Sequence, residues 1–146
     1  MALMISGLGV SRGVAIGAVH ILQRSSLEIY ERHLKATEVE AEVQRFKSAV
    51  ATATQQLSDI QNSVPADAPK DIAAFIGSHL LMLDDSMLSE VPVDLIRSRH
   101  CNAEWALKIQ RDQVVSVFEK MEDEYLRTRQ NDIDHVIHLI QKILFD

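Results

Sequence analysis

Three groups of residues have side chains and spacings that can do chemistry. The stretch Phe75 to Leu88, FIGSHLLMLDDSML, sets His79 ahead of the adjacent carboxylates Asp84 and Asp85. The stretch Glu122 to Ile133, EDEYLRTRQNDI, carries a cluster of acids and then Arg129. His135 and His138 follow, three apart and beside Asp132 and Asp134. Two histidines one helical turn apart can bind a metal with a further ligand. No Glu-x-x-His pair occurs elsewhere to supply the usual partners on other helices, so a solvated helix face is expected and no metal site. Gly77-Ser78-His79 lies inside an apolar helical pattern with no Gly-rich loop around it. His79 therefore reads as a hydrogen-bonding residue, or as a satisfied core or boundary histidine, and not as a covalent nucleophile. Asp84 and Asp85 have a plain explanation as turn formers and caps of a following helix. Arg129 has a plain reading as a surface ion pair with Glu122 or Asp132.

The elements that position these residues follow from composition and periodicity. The 146 residues are enough for one domain with a core plus an appendage. With 47% hydrophobic and only 5% aromatic residues, that core is built from Val, Ile, Leu and Ala. A formal charge of −6 argues against nucleic-acid binding, which requires a basic surface, and favours basic partners. Cys101 is the only cysteine, which excludes an intrachain disulfide and a cysteine zinc site. With no apolar run of bilayer length and no signal-peptide pattern at Met1 to Gly13, a cytoplasmic location and no membrane partner are expected.

Four of the five glycines fall in residues 3–22, LMISGLGVSRGVAIGAVHIL, among Val, Ile and Leu. That suits two short strands, Ile5 to Gly9 and Val14 to Leu22, joined near Ser11-Arg12-Gly13. From residue 37 the pattern is helical. Thr37-Glu38-Val39-Glu40 predicts a capping box. Val39, Val43, Phe46, Val50, Ala53, Leu57 and Ile60 form a narrow seam on a helix ending near Asn62. Pro69 suits the first turn of a second helix with Ile72, Phe75, Ile76, His79, Leu80 and Leu83 on one face. Asp84-Asp85-Ser86 interrupts it, and Pro92 follows, which predicts a bent helix or two short ones through Arg97. Asn102 is a cap for a helix from Ala103 to about Glu122, with Cys101 and Trp105 packing nearby. Glu122-Asp123-Glu124 reads as a charged turn at a helix start. Ile133, Val136, Ile137, Ile140 and Leu144 mark the last helix. The fold class expected is mainly α: a four-helix subdomain of two packed hairpins over residues 33–146, preceded by strands in residues 1–24.

The start ISGLGVSRGVAIG, the middle FIGSHLLMLDD and the end DEYLRTRQNDIDHV, in this order, resemble the N-terminal region of phosphoenolpyruvate-protein phosphotransferase, Enzyme I of the bacterial phosphotransferase system. The resemblance implies a helical subdomain that docks the phosphocarrier HPr. It also implies an α/β subdomain that carries the phosphorylated histidine, of which residues 1–24 are the first strands. On this reading the chain is a fragment. The histidine lies beyond residue 146, and the piece alone is catalytically silent while the parent is the enzyme. The fragment needs no cofactor, whereas the parent uses Mg²⁺ and dimerises through a C-terminal barrel. By position, the family's carrier-binding residues fall on Asp71, His79, Leu81, Met82, Asp84, Asp85, Leu88 and Arg129. Met82 and Leu88 are then apolar anchors, and Asp84 and Asp85 attract basic groups of the carrier. Ser86 and Met87 stand where relatives often extend the acidic run, and Arg12 stands where proline is usual. The less acidic face leaves either HPr or its nitrogen-system counterpart as the partner. Two alternatives are a nitrogen-branch or fusion phosphotransferase, and a helical interaction bundle unrelated to phosphotransfer.

Strands Ile5 to Gly9 and Val14 to Leu22 without sheet partners are expected to fray or to pair between molecules. Size exclusion with light scattering checks this, and a strictly monomeric chain with those amides protected from exchange counts against it.

Overall fold

The seam beginning at Val39 folds as α1, Val39–Ser63, and its partners follow from the remaining apolar faces. The computed structural model describes residues 4–18, 27–121 and 123–146, and the described residues form a mainly helical fold. After α1 come α2 (Lys70–Asp84), α3 (Ser86–Ser89), α4 (Val91–Arg99), α5 (Ala103–Glu119) and α6 (Glu124–Phe145). Val43, Phe46 and Ala53 of the seam are fully buried, Val50 and Leu57 are partly so, and Ile60 is half exposed near the end of the helix. α1 packs against α2 and α6, while α5 packs against α4 and α6. Ile133, Val136, Ile137 and Ile140 of α6 close the core with Leu107 of α5 and Ile96 of α4.

The segment after α2 is broken twice, as the Asp84-Asp85-Ser86 and Pro92 signals predict. The Asp85 side chain accepts from the Met87 amide at 2.8 Å and starts α3. Pro92 sits in the first turn of α4, where its missing amide removes no helix bond. α4 ends on His100, which takes the left-handed conformation (φ 52°) that more often falls to glycine and closes the helix through His100 N to Ile96 O.

Three expectations are corrected. No strand occurs among residues 4–18, all of which are exposed to solvent, with Ile16 100% exposed. A strand exists through its ladder, and the described residues offer that segment no pairing partner. The sequence-predicted strand residues 19–22, and the remainder of residues 1–24 outside 4–18, lie outside the described residues. The capping box at Thr37 does not form. Glu38 is the N-cap residue of α1 and its side chain accepts from the Lys35 amide at 2.8 Å, while Glu40 is drawn across to Arg97 of α4. Asn102 precedes α5 but its side chain does not cap it. Its Oδ1 accepts from Arg32 N at 2.9 Å and its Nδ2 donates to Tyr30 O, tying residues 30–34 to the α4–α5 junction beside the antiparallel bridge His33–Cys101.

The cap of α5 comes instead from α1. Glu42, buried, accepts from the Ala103 amide at 2.8 Å through Oε1. Both its oxygens also accept from Arg45, whose Nη2 reaches Glu104 at 2.7 Å and whose Nη1 donates to Leu144 O at 2.9 Å. Arg45 therefore joins α1, the start of α5 and the end of α6. Burial would raise the Glu42 pKa, but the Arg45 and Ala103 hydrogen bonds and the Arg45 and Arg32 charges outweigh it and hold it below the ordinary glutamate value. A carboxylate with a depressed folded pKa contributes stability that is complete above its unfolded pKa and is lost as pH falls through the folded one. Glu42→Gln is therefore expected to cost about 2 kcal/mol at pH 7 in urea unfolding, the low end for a buried pair because Arg45 is partly exposed. The gap between variant and parent should close as pH drops below about 4.3; a gap independent of pH would show that the charge of Glu42 contributes nothing.

Candidate functional site

α2 has two different faces. Its inward side buries Ile76, His79, Met82 and Leu83. By the helical period, Asp71, Ala74, Ser78, Leu81 and Asp85 line the outward side at steps of three and four, with Asp85 as the residue just past the helix. This stripe runs about 20 Å at 1.5 Å per residue. Leu81 is 75% exposed, a large apolar side chain standing in solvent between acidic residues. Phe75 and Ile72, each about half exposed, border the stripe. Arg129 of α6 joins it from the side, donating from Nη1 to Ser78 Oγ at 3.1 Å.

The eight residues singled out in the sequence divide accordingly. Asp71, Leu81, Asp84, Asp85 and Arg129 are exposed. His79, Met82 and Leu88 are buried, and Leu88 is fully so. Met82 and Leu88 belong to the core cluster, so neither offers an apolar anchor at the surface. Sequence reading placed Phe75 on the face of His79, where the two rings meet, and missed Ser78 as the residue that holds Arg129. The Ser78 contact joins residues 51 apart in sequence, which no local period relates.

Behind the stripe sits a polar cluster between α2 and α6. His79 Nε2 is buried and has no hydrogen-bond partner. The nearest carboxylate oxygen, Asp132 Oδ1, is 3.7 Å away, beyond hydrogen-bond reach. Phe75 meets the His79 ring edge-on at 4.2 Å between centroids, and the His135 ring lies at 6.3 Å. Burial holds the His79 pKa below its ordinary value, with Asp132 opposing and His135 adding to the effect. The ring is thus biased toward its neutral form, and its Nε2 is left without a partner. Asp134 is committed elsewhere, in a two-point pair with Arg111 of α5 (Nε–Oδ1 2.7 Å, Nη2–Oδ2 3.2 Å). The ligand atoms of His79, Asp132 and His135 lie within 4.8 Å of one another, and His138 is not among them. Two imidazoles and one carboxylate do not suit Mg²⁺, which demands oxygen ligands. The Mg²⁺ that the resemblance assigns to a longer parent therefore finds no site in this set.

A cleft of about 400 Å³ lined by Tyr30, Arg32, Arg45, Asn102 and Glu104 lies over the Glu42–Arg45 network, away from this face. Of its charged groups, Arg45 and Glu104 already pair with each other. No helix among the described residues is long and apolar enough to cross a membrane.

Residues 6–129 match the family described as PEP-utilising enzyme, N-terminal. The chain is similar to the phosphoenolpyruvate-protein phosphotransferase of Cupriavidus necator, 39% identical over 99% of this chain and 25% of that protein. It is similar to the proteins of the same name from Staphylococcus aureus, 36% identical over 93% of this chain and 24% of that protein, and from Listeria innocua, 36% identical over 93% and 23%. The chain spans about a quarter of the length of these curated relatives. Among solved structures, it resembles the solution structure of an Enzyme I protein, with a TM-score of 0.75 and 25% identity over 83% of this chain and 49% of that one.

A buried ring nitrogen without a partner costs about 1–3 kcal/mol, and the edge contact with Phe75 returns about 1 kcal/mol. His79→Leu, which removes the nitrogen and keeps the volume, is therefore expected to leave the chelator-treated protein at least as stable as the parent in urea unfolding. A clear loss would mean that Nε2 is already partnered.

Proposed function

Since this chain belongs to the family of N-terminal regions of PEP-utilising enzymes, we propose that it is the part of a phosphoenolpyruvate-protein phosphotransferase that seats a small phosphocarrier protein. The observation that carries this reading is the outward stripe of α2, in which an exposed Leu81 stands between Asp71 and Asp85 with Arg129 held alongside by Ser78. Carboxylates around an exposed apolar residue suit a carrier whose face is partly basic and partly apolar. Asp71, Asp84 and Asp85 raise the rate of encounter and set orientation, and Leu81 supplies the apolar contact that slows release. Arg129, fixed by Ser78, meets acceptor groups on the carrier at the edge of the stripe.

Phosphoryl transfer between two histidines asks little covalent chemistry of the surrounding protein and a great deal of positioning. In this reading the donor histidine belongs to a longer parent and the acceptor to the carrier. The present chain contributes the surface that brings them into line, and does no bond-making itself. His79 faces inward and its role here is to support the docking helix from behind. The carrier is HPr or its nitrogen-system counterpart, and the modest acidity of the stripe is the feature on which the two would discriminate.

An NMR titration of the labelled chain with each purified carrier, at two salt concentrations, tests the reading. Shifts should concentrate at residues 71–85 and at Arg129 and weaken with salt. Leu81→Ala should lower affinity about tenfold, roughly 1.4 kcal/mol, with the stability of the chain changed by no more than about 0.5 kcal/mol. Asp85→Asn keeps a good helix cap while removing the charge, so it should weaken binding and flatten its salt dependence without unfolding α3. Binding that is indifferent to both substitutions, or an absence of shifts with either carrier, would overturn it.

A further inference from the structure

We propose that His79, Asp132 and His135 form a binding site for a divalent transition-metal ion of the zinc type, which staples α2 to α6. Three observations carry this, none of which depends on the docking reading. First, the donor set comes from two helices: His79 from α2, and Asp132 and His135 one turn apart on α6. An aspartate and a histidine at i and i+3 project to the same side of α6, facing the ring from α2. Second, the spacing is close to that of a coordination shell. Tetrahedral zinc at about 2.0–2.1 Å from each ligand sets neighbouring ligand atoms about 3.4 Å apart. His79 Nε2 and Asp132 Oδ1 are 3.7 Å apart already, and all three ligand atoms lie within 4.8 Å of one another. Closing the set requires shifts of about 1 Å, and the exposed His135 and partly buried Asp132 side chains are placed to make them.

Third, His79 Nε2 is buried without a hydrogen-bond partner, and the carboxylate it faces is too far away to accept from it. Buried polar atoms are nearly always partnered, and one that is not calls for a ligand. A neutral imidazole nitrogen directed at a carboxylate and a second imidazole is the arrangement a zinc-type ion completes. The flanking charges leave the set available, because Asp134 is taken by Arg111 and Arg129 donates to Ser78. Access is open, because Asp132 is only partly buried and His135 is exposed, so a fourth position faces solvent and takes a water. The ion would stabilise the pairing of α2 with α6, since it binds the folded chain and finds no preformed site in the unfolded one.

The test uses the whole chain after chelator treatment. Titration with Co²⁺ should give the visible bands of a low-coordinate nitrogen and oxygen site at one equivalent, abolished by Zn²⁺, and the melting midpoint should rise with Zn²⁺ concentration. His135→Ala alters an exposed residue and leaves the metal-free melting point unchanged, but should weaken Zn²⁺ binding by more than about tenfold, the loss that even an outer partner of a metal ligand produces. His79→Leu should abolish both the cobalt bands and the zinc-dependent shift. His138→Ala, one turn further along α6 and outside the cluster, should bind as the parent does. No saturable binding at one equivalent, or equal binding by the parent, His135→Ala and His79→Leu, would overturn the proposal. Loss of binding in His138→Ala as severe as in His135→Ala would overturn it too, because the ion would then sit on surface histidines.

Discussion

Arg45 is the residue through which the helices are held in register. Its guanidinium takes two carboxylates and a helix-terminal carbonyl at once, Glu42 on its own helix, Glu104 at the start of α5 and Leu144 O near the end of α6. Glu42, in turn, caps α5 through the Ala103 amide. A buried carboxylate is costly unless its lone pairs are filled, and Glu42 has three donors within reach to fill them. Such a network adds little net stability compared with apolar packing. What it adds is direction, because the partners meet only when α1 and α5 start at the same end of the bundle and α6 finishes there.

With that end fixed, the remaining helices have little freedom. Arg111 and Asp134 repeat the pinning of α5 to α6 further along. Gln110 donates to Met87 O and ties α3 to α5. α2 is then laid on α1 and α6 by Ile76, Met82 and Leu83, and its opposite face is left to solvent. The outward stripe containing Leu81 is thus carried on a helix whose back is committed to the core. A docking surface benefits from this, since a side chain already held in place loses less entropy when a partner arrives.

Much of this was legible from residue types. The period of the α1 seam, the break at Asp84-Asp85, Pro92 and the charged turn at Asp123 all name local events, and local events are what sequence patterns encode. The capping of α5 was not legible, because Asn102 is a good local cap and only the tertiary structure brings Glu42 to Ala103 in its place. The same reason explains Thr37, where Glu40 is taken by Arg97, 57 residues away, before it can close a box. The strands expected in residues 4–18 depend on partners the described residues do not contain. Of the site, exposure was the part the sequence could not give. Met82 and Leu88 share the apolar character of Leu81, and only the packing of α2 and α3 decides that they turn inward while Leu81 turns out.

The positions of His79 and Leu81 on α2 connect the two polar features of the molecule. Two residues apart, they lie on different faces of one helix, one buried against Asp132 and the other in solvent. A nitrogen left unpartnered at the α2–α6 contact weakens that contact, and the penalty falls on the helix that bears the exposed stripe. Filling it with a ligand drawn from α6 tightens the same helix against the same neighbour. Arg129 stands three residues before Asp132 on α6 and reaches α2 through Ser78, one residue before His79. α6 therefore meets α2 at Arg129 and at Asp132 within one helical turn. Surface and cluster share a single helix pair, and the rigidity of the first depends on how the second is satisfied.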